Sequence, residues 1–214
     1  MRFRHPLSLL LVGFVGLLST SGCPLAAYLA AISQGPQEHK ATYELKDEVT
    51  GGKVVVWVRA IPEELEARDV SVRDLLGRQV TAILKTDSKV PMISYDQVAR
   101  LLRRRPVIAQ ATAQQVGRKV GAGKVIYIDV REFALRDTPR SNILRGRLHA
   151  TVAIIDVASG AQDWPTGTEG HSVKHEDRTR EPERGSQNAQ IIREVIAASA
   201  EKIAKLFYTY TDPE

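Results

Sequence analysis

The order of its apolar patterns predicts that this 214-residue chain has an α+β fold, with helices packed on a mixed β-sheet. Strand patterns separated by helical patterns come first, and a β-hairpin or meander of consecutive strands follows. A last apolar stripe at helical spacing, which includes Ile192 and Phe207, predicts a C-terminal helix.

The first half of the predicted domain alternates between strands and helices. Residues 53–60 are β-branched and nearly all apolar, which predicts a buried strand. A helix is predicted from Ser71 to about residue 85, because its apolar residues share one face and Asp74 lies in the first turn. Residues 91–94 are predicted to form a short strand.

Two capping-box patterns predict the next helices. Residues 94–97 (SYDQ) open a helix that continues to about Arg103, and residues 112–115 (TAQQ) open one that ends at Gly121.

The second half is predicted to be a meander followed by the last helix. Residues 124–133 and 143–157 are predicted strands, and residues 158–160 are a turn that leads to a return strand at 161–165. Residues 165–187 are polar without an apolar period, so we expect a solvated loop. The C-terminal helix is predicted from about residue 186 to 208.

The N-terminal segment has the pattern of a secretory signal peptide. Arg2 and Arg4 precede an apolar core at residues 7–18, and small residues then lead to Cys23, the only cysteine. The core is shorter than the about 20 residues that a membrane-spanning helix needs. We therefore predict a signal peptide at 1–22, a tether at 23–40 and a single α/β domain at 41–214.

Residues 20–23 (TSGC) resemble the lipobox of bacterial lipoproteins, with threonine where that family usually has leucine. The resemblance implies cleavage before Cys23 and attachment of acyl chains such as palmitate to its thiol. These chains would anchor the protein to a membrane. An unlipidated signal peptide and an uncleaved signal anchor are the alternatives. Pro24 stands where aspartate would favour inner-membrane retention, so we expect the outer membrane, with the domain facing the periplasm.

Composition and charge argue for an ordinary globular protein. Charged residues are 26% and hydrophobic residues 43% of the chain. Without Arg2 and Arg4, 28 basic and 25 acidic residues remain, a net charge of +3. Because no basic stretch is interleaved with aromatic residues, no nucleic-acid partner is predicted.

Several motifs contain residue types that can bind phosphate, bind a metal or act in catalysis, but these residues lack the spacing that such a site needs. Residues 121–124 (GAGK) do not fit the P-loop pattern and pass from helix to strand, so we predict a glycine C-cap. His171 and His175 would converge on one metal only on a helix, so neither a metal site nor a cofactor is predicted. No nucleophile elbow or catalytic-cysteine context occurs, and we predict no enzymatic activity.

The arginines at 103–105 precede Pro106 and are predicted to stabilise the C-terminus of a helix. Docking to anionic lipid headgroups or to an acidic partner is the alternative.

Four stretches together resemble a group of envelope proteins. They are the strand and long helix at 53–85, the helix start at 95–102 (YDQVARLL), the helix-to-strand passage at 116–127 and the hairpin at 152–161 (VAIIDVASGA). This layout resembles the group that contains the TolB N-terminal domain, the penicillin-binding-protein activator LpoB and the curli secretion lipoprotein CsgG. The resemblance covers residues 53–207.

The resemblance implies a lipid-anchored, non-enzymatic accessory protein that binds another envelope protein. The alternative is a subunit of an oligomeric envelope secretion or assembly complex, and the sequence leaves the oligomeric state open. A pore of the CsgG kind is not predicted, because residues 136–142 and 165–187 lack the alternation of a membrane-inserted hairpin.

Overall fold

A computed structural model describes residues 37–45, 52–60, 66–67, 70–88, 90–104, 111–135, 145–177 and 187–211. The chain divides into two units, Lys40–Tyr210 and a smaller one composed of Met1–His39 and Thr211–Glu214. The predicted signal peptide and Cys23 lie outside the described residues. Among the helices within the described ranges, none is both long and apolar enough to cross a membrane.

The strands form one main sheet and shorter pairs. In the main sheet the order is β2-β5-β6, and both β7 and β8 pair with the far side of β6. β2 and β5 run parallel, whereas the other pairs are antiparallel, so the predicted mixed sheet is confirmed. The strands are β1 (Glu38–His39), β2 (Val54–Ala60), β3 (Glu66–Ala67), β4 (Val70–Ser71), β5 (Lys124–Ala134), β6 (Arg147–Asp156), β7 (Gln162–Trp164), β8 (His171–Glu176) and β9 (Tyr210–Thr211).

The described helices pack on the two faces of this sheet. They are α1 (Val72–Asp87), α2 (Tyr95–Arg104), α3 (Ala113–Val120) and α4 (Gln187–Ala204). α1 and α4 contact each other and cover one face, where α1 lies against β2 and α4 against β6 and β8. α3 packs on the opposite face, where an added Cβ at Gly117 would lie 2.8 Å from a methyl group of Val125.

The main core lies between the sheet and the pair α1 and α4. Alternate residues of β5, β6 and β8 point into it, because successive side chains of a strand face opposite sides. Their buried apolar members are Ile126, Ile128, Val130, Leu148, Ala150, Val152, Ile154 and Val173. α1 contributes Val72, Leu76, Val80 and Leu84, which lie four residues apart and therefore on one helical face.

The predicted caps of α3 are confirmed. The Thr112 hydroxyl accepts a hydrogen bond from the amide of Gln115, whose side chain accepts one from the amide of Thr112. Gly121 ends the helix in the left-handed conformation, with φ 72° and ψ 36°.

The solvated loop predicted for residues 165–187 is wrong over residues 171–176. These residues form β8, an antiparallel partner of β6 from Arg147 to Val152. Val173 is the one apolar residue of the strand, so the sequence shows little alternation, although Val173 is only 6% exposed. β8 forms because its backbone completes the hydrogen bonds of β6, an interaction that no local pattern reveals.

Smaller differences concern the ends of elements. α4 ends at Ala204 rather than near residue 208, and residues 205–207 form turns in which the Leu206 amide donates to the Ile203 carbonyl. The strand expected at 91–94 is a single bridge between Met92 and Val54. The hairpin of β3 and β4 was not predicted.

Candidate functional site

The glycine turn before β5 is a structural turn. The amide of Ala122 donates to the Gly117 carbonyl, and the amide of Gly123 donates to the Lys53 carbonyl. Both amides are therefore satisfied within the protein and do not point towards an anion. This arrangement confirms the predicted glycine C-cap at Gly121.

Lys124, the first residue of β5, binds two carboxylates. Its Nζ lies 2.8 Å from Asp156 Oδ2 and also contacts Asp163, so it ties β5 to the hairpin of β6 and β7. Burial opposes the charged ammonium, but hydrogen bonds to Asp156 and Asp163 outweigh it and raise the pKa of Lys124. We assign these three residues a structural role.

The histidines of β8 do not converge on a metal. His171 and His175 are four residues apart on a strand, which places them about 13 Å apart along its axis. His171 stacks on Trp164, with ring centroids 5.2 Å apart. His175 is half-buried, and burial lowers its pKa, helped by the charge of Lys202 and opposed by that of Asp177. The described residues contain no group of three metal-ligating side chains.

Arg103 and Arg104 lie in the last turn of α2, as predicted, where a cation is favourable to the helix dipole. Arg105 lies outside the described residues.

A cleft of about 290 Å³ lies between α1 and residues 92–96. Arg78 and Lys85 line it, but Arg78 already forms an ion pair with Asp96 on its opposite wall. The positive charge of Arg78 in the cleft is therefore balanced by a carboxylate of the protein itself.

The most unusual group of polar side chains lies on the sheet face opposite α1 and α4, beyond the part that α3 covers. The register places Arg59, Asp129, Thr151 and Ser172 in one row across β2, β5, β6 and β8. We call this surface the polar face and define it by six residues: Arg59, Tyr127, Asp129, Arg131, His149 and Ser172.

Asp129 is the buried centre of the polar face. Its side chain is 3% exposed, and its Oδ2 forms an ion pair with Arg131 Nη2 at 3.0 Å. Its Oδ1 is buried and has no hydrogen-bond partner within the described part of the chain. A buried carboxylate oxygen without a donor is unfavourable, so this atom marks the position at which a donor is missing.

Two arginines flank this carboxylate. Arg59 is exposed, and its Nη1 donates to the Tyr127 hydroxyl at 3.5 Å. The hydrogen bond to Tyr127, followed by the electrostatic interactions with Tyr127 and Asp129, raises the pKa of Arg59. Arg131 follows Asp129 at a β-bulge, where the pairing with β6 shifts between Val130 and Glu132. A bulge redirects a side chain, which explains how Arg131 reaches back to Asp129.

Other polar groups extend the same face. His149 Nε2 lies 3.1 Å from Ser172 Oγ across β6 and β8. Two residues earlier in each strand, Trp57 of β2 pairs with Tyr127 of β5. Trp57 is 1% exposed, and its Nε1 has no hydrogen-bond partner among the described residues. This side of the sheet thus has a buried acceptor and a buried donor, neither of which has a partner among the described residues, with exposed cations beside the acceptor, an arrangement suited to binding.

Sequence reasoning missed the polar face. Asp129 and Arg131 appeared only as part of a predicted strand, and Arg59 was the last residue but one of another. The available signal was a charged residue, Asp129, inside a nearly continuous apolar strand, because a charge there is buried only when the fold supplies a partner.

The chain matches no protein-family model and no curated protein. Among solved structures it is similar to the PelC dodecamer of Paraburkholderia phytofirmans, at 15% identity over 80% of this chain and 97% of that one, with a TM-score of 0.43. It is also similar to lipoprotein GNA1162 of Neisseria meningitidis, at 14% identity over 72% of this chain and 98% of that one, with a TM-score of 0.41.

A third similar structure is the LpoB C-terminal domain of Salmonella enterica, at 18% identity over 60% of this chain and 84% of that one, with a TM-score of 0.31. The structural neighbours thus include lipoproteins and LpoB, one member of the group that the sequence resembles. At these identities and TM-scores the likenesses transfer neither a partner nor an activity to this chain.

Proposed function

We propose that this protein is a lipid-anchored, non-enzymatic accessory protein of the bacterial cell envelope that acts by binding another envelope protein. The observation that carries the proposal is the N-terminal order of two arginines, an apolar core and small residues that end at Cys23. Two or three acyl chains on one residue give a stable anchor, whereas one chain gives only marginal binding.

The polar face supports the binding part of the proposal. Two arginines flank a buried carboxylate on a sheet whose other face is fixed by α1 and α4. Polar groups on a rigid sheet keep their geometry before a partner arrives, which lowers the entropic cost of binding.

Intact mass spectrometry of protein purified from its native membrane tests the anchor. We expect a species that begins at Cys23 and carries added acyl mass, and we expect Cys23→Ser to lose both that mass and membrane association. Ser21→Ala is the matched control, because it keeps a small residue in the lipobox and leaves the thiol in place. Wild-type protein that is water-soluble, with a free thiol at Cys23, would contradict the proposal.

The partner is tested by chemical crosslinking in intact envelopes, followed by purification of the wild-type protein and of Cys23→Ser. We expect one envelope protein to be crosslinked to the wild type and to be depleted in the variant. Light scattering of the detergent-extracted protein tests the alternative of an oligomeric complex, which predicts a protein mass many times 23.6 kDa.

A further inference from the structure

We infer that the exposed side of α2 docks on an anionic bilayer, with Arg100, Arg103 and Arg104 lying against the lipid phosphates. We call these three residues the arginine face. The inference goes beyond the proposed function and rests on it only for the location of the protein at a membrane. Docking fixes which side of the domain faces the lipid, a property that an acyl anchor at Cys23 leaves open.

The packing of α2 fixes the direction in which these arginines point. The buried side chains of the helix are Tyr95, Val98, Ala99 and Leu102, and the helix contacts α1, α3 and β2. Arg103 and Arg104 follow Arg100 by three and four positions, so the three share the opposite side of the helix, and all are exposed. Because the apolar side of α2 is already used in the core, this charged side is the one available to a partner.

The positive charge of the arginine face is not neutralised by its own helix. None of the three arginines forms an ion pair within the described ranges, and the one acidic residue of α2, Asp96, is paired with Arg78 of α1. Like charges three and four positions apart on a helix repel each other. The helix dipole favours cations in the last turn, but Arg100 precedes that turn, so the dipole does not account for the whole cluster.

The charge of the chain is segregated around this surface. Residues 97–128 contain seven basic residues and no acidic one, whereas the rest of the chain from Cys23 contains 21 basic and 25 acidic residues. α3, which contacts α2, contributes the exposed Arg118 and Lys119. Of the described basic residues in this stretch, Lys124 is the one that pairs with carboxylates. A basic stretch in an otherwise net acidic chain orients the domain in the field of an anionic surface.

The composition of the arginine face favours a bilayer over a protein as its partner. Stable protein interfaces have an apolar or aromatic centre that the partner buries, with charged residues at the rim. Beside the three arginines, α2 exposes Gln97, and its one apolar side chain that reaches the surface is the half-buried Leu101. A surface that offers charge without an apolar centre suits lipid headgroups, which attract each arginine by its charge alone.

The predicted tether permits this contact. Residues 23–40 span at most about 60 Å when fully extended. This length exceeds the width of a compact domain of about 170 residues, which is about 40 Å. Each side of the domain can therefore reach the membrane that holds Cys23. Anchoring also keeps the arginine face at a high effective concentration near the lipid, so a contact that is weak for a protein in solution becomes favourable.

The test is energy transfer from a dye on α2 to a headgroup-labelled lipid, measured on the full-length protein reconstituted in vesicles. Gln97→Cys provides the dye site beside the arginines, at an exposed position without charge. Vesicles of phosphatidylcholine are compared with vesicles of an equal mixture of phosphatidylcholine and phosphatidylglycerol. We expect more transfer with the mixed vesicles at low salt, and loss of this difference at 1 M salt, where the Debye length is about 3 Å.

A double variant and a matched control locate the contact. Arg100→Gln combined with Arg104→Gln should lower the ratio of docked to undocked domains on mixed vesicles by about 25-fold, because each arginine at an anionic surface contributes a factor of about five. The control combines Lys174→Gln with Arg193→Gln and should leave the transfer unchanged, because it removes the same charge from exposed positions on β8 and α4. All four side chains are exposed and form no ion pair with a described residue, so both variants should fold.

Equal transfer in the two kinds of vesicle, or a difference that persists in the arginine double variant, would overturn the inference. So would a response of the dye to polyglutamate that depends on Arg100 and Arg104 and is absent with mixed vesicles, since that result would assign α2 to an acidic protein. A failure of the proposed function shows separately, because a Cys23 without acyl chains takes up a second dye, which the mass of the labelled protein reveals.

Discussion

At the scale of single residues, the polar face depends on where a strand places a charge. Asp129 lies between Ile128 and Val130, both completely buried, and its own side chain is 3% exposed. Its immediate neighbours along the chain are apolar, and its ion-pair partner among the described residues is the bulged Arg131. A buried carboxylate with one unsatisfied oxygen contributes little net stability, because its desolvation opposes the gain from the ion pair with Arg131.

Gly77 in α1 permits the closest approach of that helix to Tyr95. A Cβ added there would lie 2.1 Å from the Tyr95 ring, and Tyr95 is only 2% exposed, so the ring has little room to move. We expect Gly77→Ala to destabilise the protein by about 1–3 kcal/mol, even though alanine is the better helix former. Urea unfolding followed by circular dichroism measures the change.

The double variant Gly77→Ala, Tyr95→Leu is the control for this contact. Leucine removes the ring that the new methyl group meets, so the two changes together should cost less than the sum of their separate costs. Strictly additive costs would show that the ring does not limit position 77.

At the scale of elements, an ion cluster fixes the hairpin that follows β5. Asp156 Oδ2 binds Lys124, while Asp156 Oδ1 accepts hydrogen bonds from the amide and hydroxyl of Ser159 in the turn. The hydrogen bond from Lys124, followed by those from Ser159, holds the pKa of Asp156 well below its ordinary value of 3.8.

We expect Asp156→Asn to lower the free energy of unfolding at neutral pH by about 1–3 kcal/mol. A carboxyl whose pKa is lowered by folding stabilises the protein above its unfolded-state pKa, and this contribution is lost as the pH falls through the folded-state value. The difference between wild type and variant should therefore persist down to about pH 4 and shrink below it, as measured by urea unfolding at a series of pH values.

Asp96→Asn is the matched control for that series. Asp96 also pairs with a basic residue, Arg78, but both side chains are more than 40% exposed, so the pair should contribute only about 0–1 kcal/mol. An equal loss in both variants would contradict a special role for the Lys124 cluster.

At the scale of the whole molecule, the sheet depends on α4 to complete the core on the face that it shares with α1. Ile192, Val195, Ile196 and Ile203 of that helix are each at most 3% exposed, and α4 contacts α1, β6 and β8. Each such side chain contributes about 1.5–3 kcal/mol on burial, and a domain is stable by only about 5–15 kcal/mol in total.

A chain that ends at Asp177 should therefore fail to form a cooperative fold. We expect rapid proteolysis and loss of the thermal transition, because the truncation exposes to water the part of the sheet, at β6 and β8, that α4 covers. The control ends at Thr211, which keeps α4 and removes only residues 212–214, and it should retain the transition. A truncated chain that still unfolds cooperatively would show that α4 is dispensable for the core.

The sequence alone determined the elements that have a strong local signal. The apolar stripe of α1 and the capping box and glycine end of α3 depend on residues within a few positions of one another, so they could be predicted from the chain. The order of these elements was also sufficient to predict the α+β class and the mixed sheet. The resemblance of residues 20–23 to a lipobox is likewise a feature of the sequence, and the anchor that it implies stays a prediction.

Only the tertiary structure decided which distant segments pair and which side chains this pairing brings together. β8 is a strand because β6 offers it a row of hydrogen bonds, although residues 171–176 contain one buried apolar side chain. The polar face exists because β2, β5, β6 and β8 bring Arg59, Asp129 and Ser172 into one row. Local propensity and periodicity act within one segment. The register between strands depends instead on contacts between separate segments, such as the pairing of Arg59 with Asp129, which no single stretch of sequence encodes.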